Sequence, residues 1–457
     1  MIHDLKPYPV MKDSGVPWLG EVPEPWKVLP NRAIFMEIKE REHPEEQMLS
    51  VTITKGVIPQ QKLLADSSKK DSSNQDKSAY KVVRPGDIAY NKMRAWQGAI
   101  GASDHRGIIS PAYVVQRPRD GAHPRYFHYL LRTPSFAKEA ERWSYGITSD
   151  MWSLRPEHFK MIYGCLPSPN EQATIVRYLD HMDRRIRKYI RVKQKLIKLL
   201  EEQKQAIIHH AVTRGLDPNV RLKPSGVEWL GEVPEHWEVS RVKTEFTCLN
   251  RHRIPLSGTE RGAMTLRKYD YYGASSVIDK VDDFIFDDEL LLIAEDGANL
   301  VLRNLPLAII ARGKFWVNNH AHILKPRRGN IEYLAAVMEK LNYMPWISGA
   351  AQPKLTQDRL MSIAIAIPSR EEQDRIIASA TTETVPLRVA INRTKSEISL
   401  LREYRTRLIA DVVTGKLDVR EAAARLPDEA EEPEPLDEAD ALSDAEEETE
   451  VVEEPEE

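Results

Sequence analysis

The chain has 457 residues, 41% of them hydrophobic and 29% charged, with two cysteines and a formal net charge of −4. This is the profile of a globular chain of two to four domains, with no apolar run long enough to span a membrane. Two cysteines exclude a disulfide framework and a cysteine-rich zinc site, and they fit a reducing cytoplasm. The net charge hides an asymmetry: residues 426–457 carry 17 acidic side chains and no Lys or Arg, so the rest holds 65 basic against 52 acidic residues. A basic body predicts a polyanionic partner.

In chain order, the first distinctive phrase is "SGVPWLGEVPEPW" at 14–26. Short β-like runs follow ("MLSVTIT", "IIS", "AYVVQ"), with Gly/Pro turns, a polar loop at 65–78 and one helical stretch, "PRYFHYLLR". From Glu171 to Thr213 there is neither Pro nor Gly, and Ile175, Leu179, Met182, Ile186, Tyr189, Leu196, Leu200 and Ile207 repeat at 3-4 spacing, with one gap at Lys193 and another at Gln203. That predicts a rod of roughly 60 Å. The opening phrase then returns as "SGVEWLGEVPEHW" at 225–237, followed by a second mixed stretch with the helix "NIEYLAAVMEKLNYM". A second long helix is expected from about Glu371 to Thr414, with Ile376, Ile391, Ile398, Leu401, Leu408 and Val412 on one side and Pro386 expected to kink or break it. The last residues, rich in Pro, Glu and Ala, predict a disordered tail over 421–457.

The chain is therefore one unit written twice. "LPSPNEQATI" (166–175) returns as "IPSREEQDRI" (367–376), "LLEEQKQAIIHHAVTRGLD" as "LLREYRTRLIADVVTGKLD", and "RPRDG" as "KPRRG", always in the same order. The predicted fold is α+β: two duplicated mixed domains (1–168 and 217–368) joined by two long helices (169–216 and 369–420). A lone amphipathic helix needs a partner, and the matching partner is the other helix. An antiparallel coiled coil would make the molecule pseudo-twofold symmetric. The alternative is two helices each packed on its own domain.

No motif for catalysis stands out. The phosphate loop, the dinucleotide fingerprint, the zinc-protease pair and the Asn/Asp-Pro-Pro-aromatic signature of amino-methylating enzymes are all absent from the sequence. His209-His210 and His320-Ala321-His322 are close histidine pairs without an acidic or cysteine ligand spaced beside them. The middles of the two halves hardly match, and each interleaves polar, basic and aromatic residues. The first has Asn91, Lys92, Arg94, Trp96, Gln97, Arg142, Tyr145, Thr148 and Ser149; the second has Asn299, Arg303, Lys314, Asn318, Asn319, His320, Gln352, Lys354 and Thr356. Arg and Lys suit phosphates and guanine edges, and Asn and Gln suit adenine edges, so both clusters are candidate DNA-binding residues. The Trp-Leu-Gly phrase, retained between copies, is assigned to packing.

The repeated "SGVPWLGEVPEPW" phrase, "MRAWQGA" with "SPAYVV", and "LPSPNEQ"/"IPSREEQ" at the head of each long helix resemble the specificity subunit of type I restriction–modification systems, over roughly residues 5–420. The resemblance implies two target-recognition domains spaced by an antiparallel coiled coil, no catalytic activity and no cofactor or metal of its own. It also implies double-stranded DNA, two adenine-N6 methyltransferase subunits and restriction/translocase subunits as partners. The acidic tail is not part of the family pattern.

Overall fold

The structure, a computed structural model, describes residues 5–41, 43–65, 77–146, 151–228, 230–349 and 352–427. The tail from residue 428, most of the polar loop at 65–78, Thr148, Ser149 and Trp229 lie outside them. Contacts divide the chain into two units, Met1–Lys195 with Lys395–Glu457, and Leu196–Thr394. Each therefore holds one mixed domain, the start of the long helix that follows it, and the end of the other long helix.

In chain order the first domain supplies β1 (Lys27–Pro30), β2 (Phe35–Ile38), β3 (Ile88–Asn91), β4 (Ile100–Ala102), β5 (Tyr113–Pro118), α1 (Pro124–Leu130), α2 (Pro134–Arg142) and β6 (Tyr163–Leu166). The first long helix, α3, is Pro169–Arg214. The second domain supplies β7 (Glu238–Arg241), β8 (Phe246–Cys248), β9 (Tyr269–Tyr272), β10 (Val277–Val281), β11 (Phe286–Ala294), β12 (Ala308–Val317), β13 (Ala321–Pro326), α4 (Ile331–Lys340) and β14 (Ala364–Ile367), before the second long helix, α5 (Arg370–Val413).

The main sheet of the first unit runs β2-β5-β3-β4, all antiparallel. That of the second begins with the same order, β8-β13-β11-β12, and extends it with β9 and β10, β9 lying parallel to β12. Each sheet is apolar on both faces, which is why β11 ends in the unbroken run "LLLIA" rather than alternating. Leu291 and Ile293 join the core under α4 with Tyr333 and Met338, while Leu290 and Leu292 pack on the other face with Phe315 and Ile323. In the first unit Ile88 and Tyr90 face the core under α1, and Ala89 faces Val51, Val83 and Val115.

The phrases shared by the two halves build one socket in each unit. Gln172, in the first turns of α3, accepts from the backbone N–H of His123 at 2.7 Å and donates to the carbonyls of Gly121 and Pro167, both at 2.9 Å. Gln373, in α5, accepts from Asn330 N–H at 2.8 Å and donates to Pro368 at 3.0 Å. Each glutamine thus ties the head of a long helix to the N-cap residue of α1 or α4. The far side of each socket is the end of the other long helix. Tyr126 Oη donates to Val413 O at 2.9 Å, and Tyr333 Oη to Val212 O at 3.3 Å. Trp26 and Trp237 are both 1% exposed and pack beside Gly415 and Gly215, which follow those helix ends. At Gly415, with φ of 79°, a Cβ would stand 2.2 Å from Pro23 Cδ, so a side chain is excluded by space as well as by conformation. Gln373→Ala is expected to lower the stability of the second unit by about 2–3 kcal/mol, because it strands buried backbone groups; thermal melting checks this.

The long helices meet antiparallel in the first unit, and in the second Ala211 and Val212 of α3 share a core with Ile376 and Ala380 of α5. Asp183 pairs with Arg405, and Lys193 Nζ with Glu397 Oε2 at 2.6 Å. Two sequence expectations change. Pro386 does not break α5, which runs through it. The carbonyl that Pro386 cannot bond, on Thr382, belongs to an exposed turn, so water can satisfy it. On α3 the predicted stripe lapses between Ile186 and Leu200, and Leu200 and Ile207 are half-buried again. Tyr189 and Leu196 are 48% and 43% exposed, whereas Ile190, Ile197 and Ile208 are half-buried. The α3 sequence carries two apolar lines one residue out of phase, and the Lys193–Glu397 pair stands at the gap that the sequence leaves at Lys193.

Candidate nucleic-acid interface

In each main sheet the two strands flanking the second-placed strand run parallel to one another, so their C-terminal ends share an edge with that strand's start. In the first unit the segments at this edge are 39–41 after β2, 91–97 after β3 and 110–112 before β5. In the second they are 250–253 after β8, 295–299 after β11 and 318–320 before β13. Nine of the eighteen predicted residues fall there.

After β3 the chain makes a tight loop closed by Gly98 in the left-handed region, φ 98°. Asn91 Oδ1 accepts from Met93 N–H at 3.0 Å, and Trp96 Nε1 donates to Met93 O at 2.9 Å, so these two side chains shape the loop. Arg94 is exposed and reaches Gln97 Oε1 at 3.4 Å. Lys92 O accepts from Leu154 N–H at 2.9 Å, and Trp96 meets Trp152 edge-on at 5.6 Å. Ser153 in turn bridges Tyr145. The structure thus brings the 91–97 and 142–145 groups together, with Arg142 and Tyr145 both exposed.

Sequence reasoning missed several cations here. Lys81, half-buried, donates to Pro111 O at 3.0 Å, and burial with the neighbouring charges of Lys92, Arg41 and Lys39 depresses its pKa. Cations that disfavour one another's charge make a surface suited to an anion. They come from separate strands, so no spacing in the sequence joins them. Beneath the loop, Arg132 donates to four carbonyls: Gly98 at 3.1 Å, Ile100 at 2.8 Å, Ile53 at 2.7 Å and Thr54 at 2.6 Å. Withdrawal from water, reinforced by Arg405, Arg125 and Arg187, lowers its pKa to about 10. Beside it His128 Nδ1 accepts from Ala102 N–H at 3.3 Å, which requires the neutral ring.

In the second unit the structure separates the predicted residues. Asn299 braces its own loop, donating to Ser275 Oγ at 2.8 Å and accepting from Leu305 N–H at 2.9 Å. Arg303, at φ 54°, gives its guanidinium to the carbonyls of Leu341 (2.8 Å) and Glu339. Lys314 lies over the Phe284 ring, opposite Asp287 at the start of β11. The others converge at the strand's end. Glu295 N–H donates to His320 O at 2.9 Å, Leu355 N–H to Glu295 O at 2.8 Å, and Lys354 bridges Asp296. Asn318 is buried and turns the loop by accepting from His320 N–H at 2.8 Å. Asn319, His320, Gln352 and Lys354 are exposed, and Thr356 is half-buried at the start of the next helix.

An unpredicted polar network supports this edge. Glu295 binds Arg253, and Lys354 Nζ stands 3.2 Å from it. Burial would raise the Glu295 pKa, but Arg253, His322 and Lys354 outweigh it and hold the carboxyl below its usual range. His322 is 0% exposed, lies 2.8 Å from Asn250 Nδ2 and 2.7 Å from Leu355 O, and burial lowers its pKa. His320 instead faces Asp296 at 2.8 Å. The His-Ala-His pair is therefore divided between two networks, and among the described residues no cluster of three metal-ligating side chains occurs.

The buried histidines carry a pH prediction. Unfolded, each takes a proton near 6.5; folded, His128 and His322 resist it. The unfolded state therefore binds more protons below that value, and stability falls as pH drops through it, by up to about 1.4 kcal/mol per pH unit for each histidine. Melting temperature should fall between pH 7.5 and 5.5, and His128→Gln should flatten part of that slope.

A family model described as the type I restriction modification DNA specificity domain matches residues 234–383. A type I restriction enzyme specificity subunit of Haemophilus influenzae is 34% identical over 160 residues, which is 34% of this chain and 37% of that protein. This chain thus spans little more than a third of that relative. The MjaX specificity subunit of Methanocaldococcus jannaschii is 22% identical over 88% of this chain and 96% of its own length. Among solved structures, a chain from work on complex assembly and conformational transition of the type I R-M system superposes with a TM-score of 0.59 at 14% identity, covering 87% of this chain and 99% of that one. The fold is shared with it. No helix among the described residues is long and apolar enough to cross a membrane.

Proposed function

We propose, on the premise that this chain is a type I specificity subunit as the three comparisons indicate, that it is the non-catalytic, cytoplasmic DNA-recognition component of such a system. Domains 1–168 and 217–368 read two unlike half-sites of a bipartite, asymmetric duplex target. The helices at 169–216 and 369–420 set the unread gap between them and offer two equivalent faces to two adenine-N6 methyltransferase subunits, through which restriction subunits join. Modification requires the adenine to leave the stack, so the chemistry belongs to the methyltransferase pocket.

The observation that carries this reading is the shared sheet edge. Both units hang basic and polar segments on the same edge of the same four-stranded arrangement, yet the residues differ: Lys39, Arg41, Lys81, Lys92 and Arg94 in one, Arg253, His320 and Lys354 in the other. A conserved frame with unlike contact residues is what two different base sequences demand.

Arg94→Ala tests it. Binding should weaken at the first half-site alone. A guanine contact would show as roughly 1–3 kcal/mol lost at one base position, and a phosphate contact as a uniform loss with a shallower salt dependence. No change at any position would remove Arg94 from the interface. Failure of the chain to co-purify with a co-expressed methyltransferase, while still binding DNA tightly, would favour an autonomous DNA-binding regulator instead.

A further inference from the structure

We infer, on the recognition reading above, that Gln357 reads an adenine in the half-site of the second domain, with Asn250 and His322 holding its amide in the one orientation that suits this base. Gln357 is exposed. It opens the short helix Gln357–Ser362 and lies against the 250–253 segment of the reading edge through Asn250.

The orientation follows outward from the backbone. Ile323 N–H, on β13, can only donate, so the Asn250 atom that meets it at 2.9 Å is the carbonyl oxygen, Oδ1. That turns Asn250 Nδ2 toward His322 Nδ1 at 2.8 Å and toward Gln357 at 2.9 Å. His322 requires the same arrangement. Its Nε2 stands 2.7 Å from Leu355 O and must carry the proton, which leaves Nδ1 of the neutral ring bare to accept from Asn250. His322 and Leu355 are both buried, so this end of the relay is fixed. Asn250 Nδ2 gives one hydrogen to His322 and the other to Gln357, so the Gln357 atom that receives it is Oε1. Gln357 Nε2 then points the other way, and among the described residues it meets no protein acceptor. A free surface glutamine rotates and shows donor and acceptor in either order; this one shows a single order. Oε1 keeps a second lone pair, and Nε2 keeps its hydrogens. A donor beside an acceptor is the complement of adenine N7 and N6–H in the major groove. Guanine offers two acceptors there and cytosine one donor, so neither matches both groups.

The relay belongs to one copy of the frame. Phe246 pairs with Pro326 as Phe35 pairs with Pro118. Counted from those pairs, Lys39 and Val114 stand where Asn250 and His322 do, and the 201-residue offset puts Pro156 at the place of Gln357. Lys, Val and Pro cannot form these bonds. A packing device serves both copies, as Gln172 and Gln373 do. A reader of one base sequence serves one.

The test selects bound duplexes from a random pool with the full-length chain and three variants. The second half-site is the one that Arg94→Ala leaves unchanged, and it should show adenine at one position. Gln357→Ala should lower the preference for adenine there about ten- to a hundredfold and leave the other positions as they were. Gln357→Glu keeps an oxygen for Asn250 and loses the donor. The preferred base at that position should become cytosine, whose N4 amino group donates to a carboxylate. Asn250→Asp puts an acceptor against Gln357 Oε1 and turns the amide round. It should lose the adenine preference at the same position, although the Asn250 amide is wholly engaged within the protein. A loss spread evenly over the second half-site in Asn250→Asp would overturn the orienting role. Unchanged preference in Gln357→Ala would overturn the inference while the recognition reading stands. A wild-type chain that enriches no sequence would overturn both.

Discussion

Replacing Arg132 with methionine is expected to destabilise the first unit by about 3 kcal/mol and to abolish binding at the first half-site while leaving the second readable. The four carbonyls held by this one guanidinium belong to the 53–54 turn and to the 98–100 segment that closes the Arg94 loop. Methionine retains much of the volume and none of the five donors, so the carbonyls lose their partner. Lysine should rescue poorly, because one ammonium cannot span two turns as a planar fork does. Denaturant unfolding and half-site-resolved binding measure the two effects. Stability unchanged within about 0.5 kcal/mol would show that the loop is held by other means.

The second large effect concerns spacing. Four residues inserted after Leu200, with four more after Arg388 on the facing helix, add about one turn, roughly 6 Å. The tolerated gap between half-sites should lengthen, both half-site sequences should persist, and affinity for the original spacing should fall at least about a hundredfold. The loss is large because the second domain engages as a tethered event, and a mismatched span removes that advantage. Selection of bound sequences from a random pool measures both quantities. An altered half-site sequence would count against the helices as spacers.

What could be read from sequence follows from how local each signal is. The helix-forming stretches "PRYFHYLLR" and "NIEYLAAVMEKLNYM" stand as α1 and α4, and the duplication anticipated the matching sheets. The middle of α3 is ambiguous in sequence because two apolar lines, Ile186-Ile190-Ile197 and Tyr189-Val192-Leu196, differ by about one residue of helical phase, and hydrophobicity alone cannot choose between them. Pro386 was given its usual penalty without knowledge that its turn faces water. Arg94 and Gln97 could be singled out because they stand in a polar loop, whereas Lys81, Arg132, Arg253 and Glu295 act through contacts with distant strands. Arg303 and Asn299 show the converse: a polar residue in a loop whose donors are already committed to backbone carbonyls.

The two sockets have a consequence for how domains can be exchanged in such a chain. Gln172 and Gln373, Tyr126 and Tyr333, and the glycines after each long helix present interchangeable receptors. A foreign domain bordered by the same tryptophan phrase and the same Glu-Gln helix head would meet every partner it needs at either position. Gene fragments that recombine within those repeated phrases can therefore yield a folded chain with a new pair of domains in one step, without any compensating substitution in the frame.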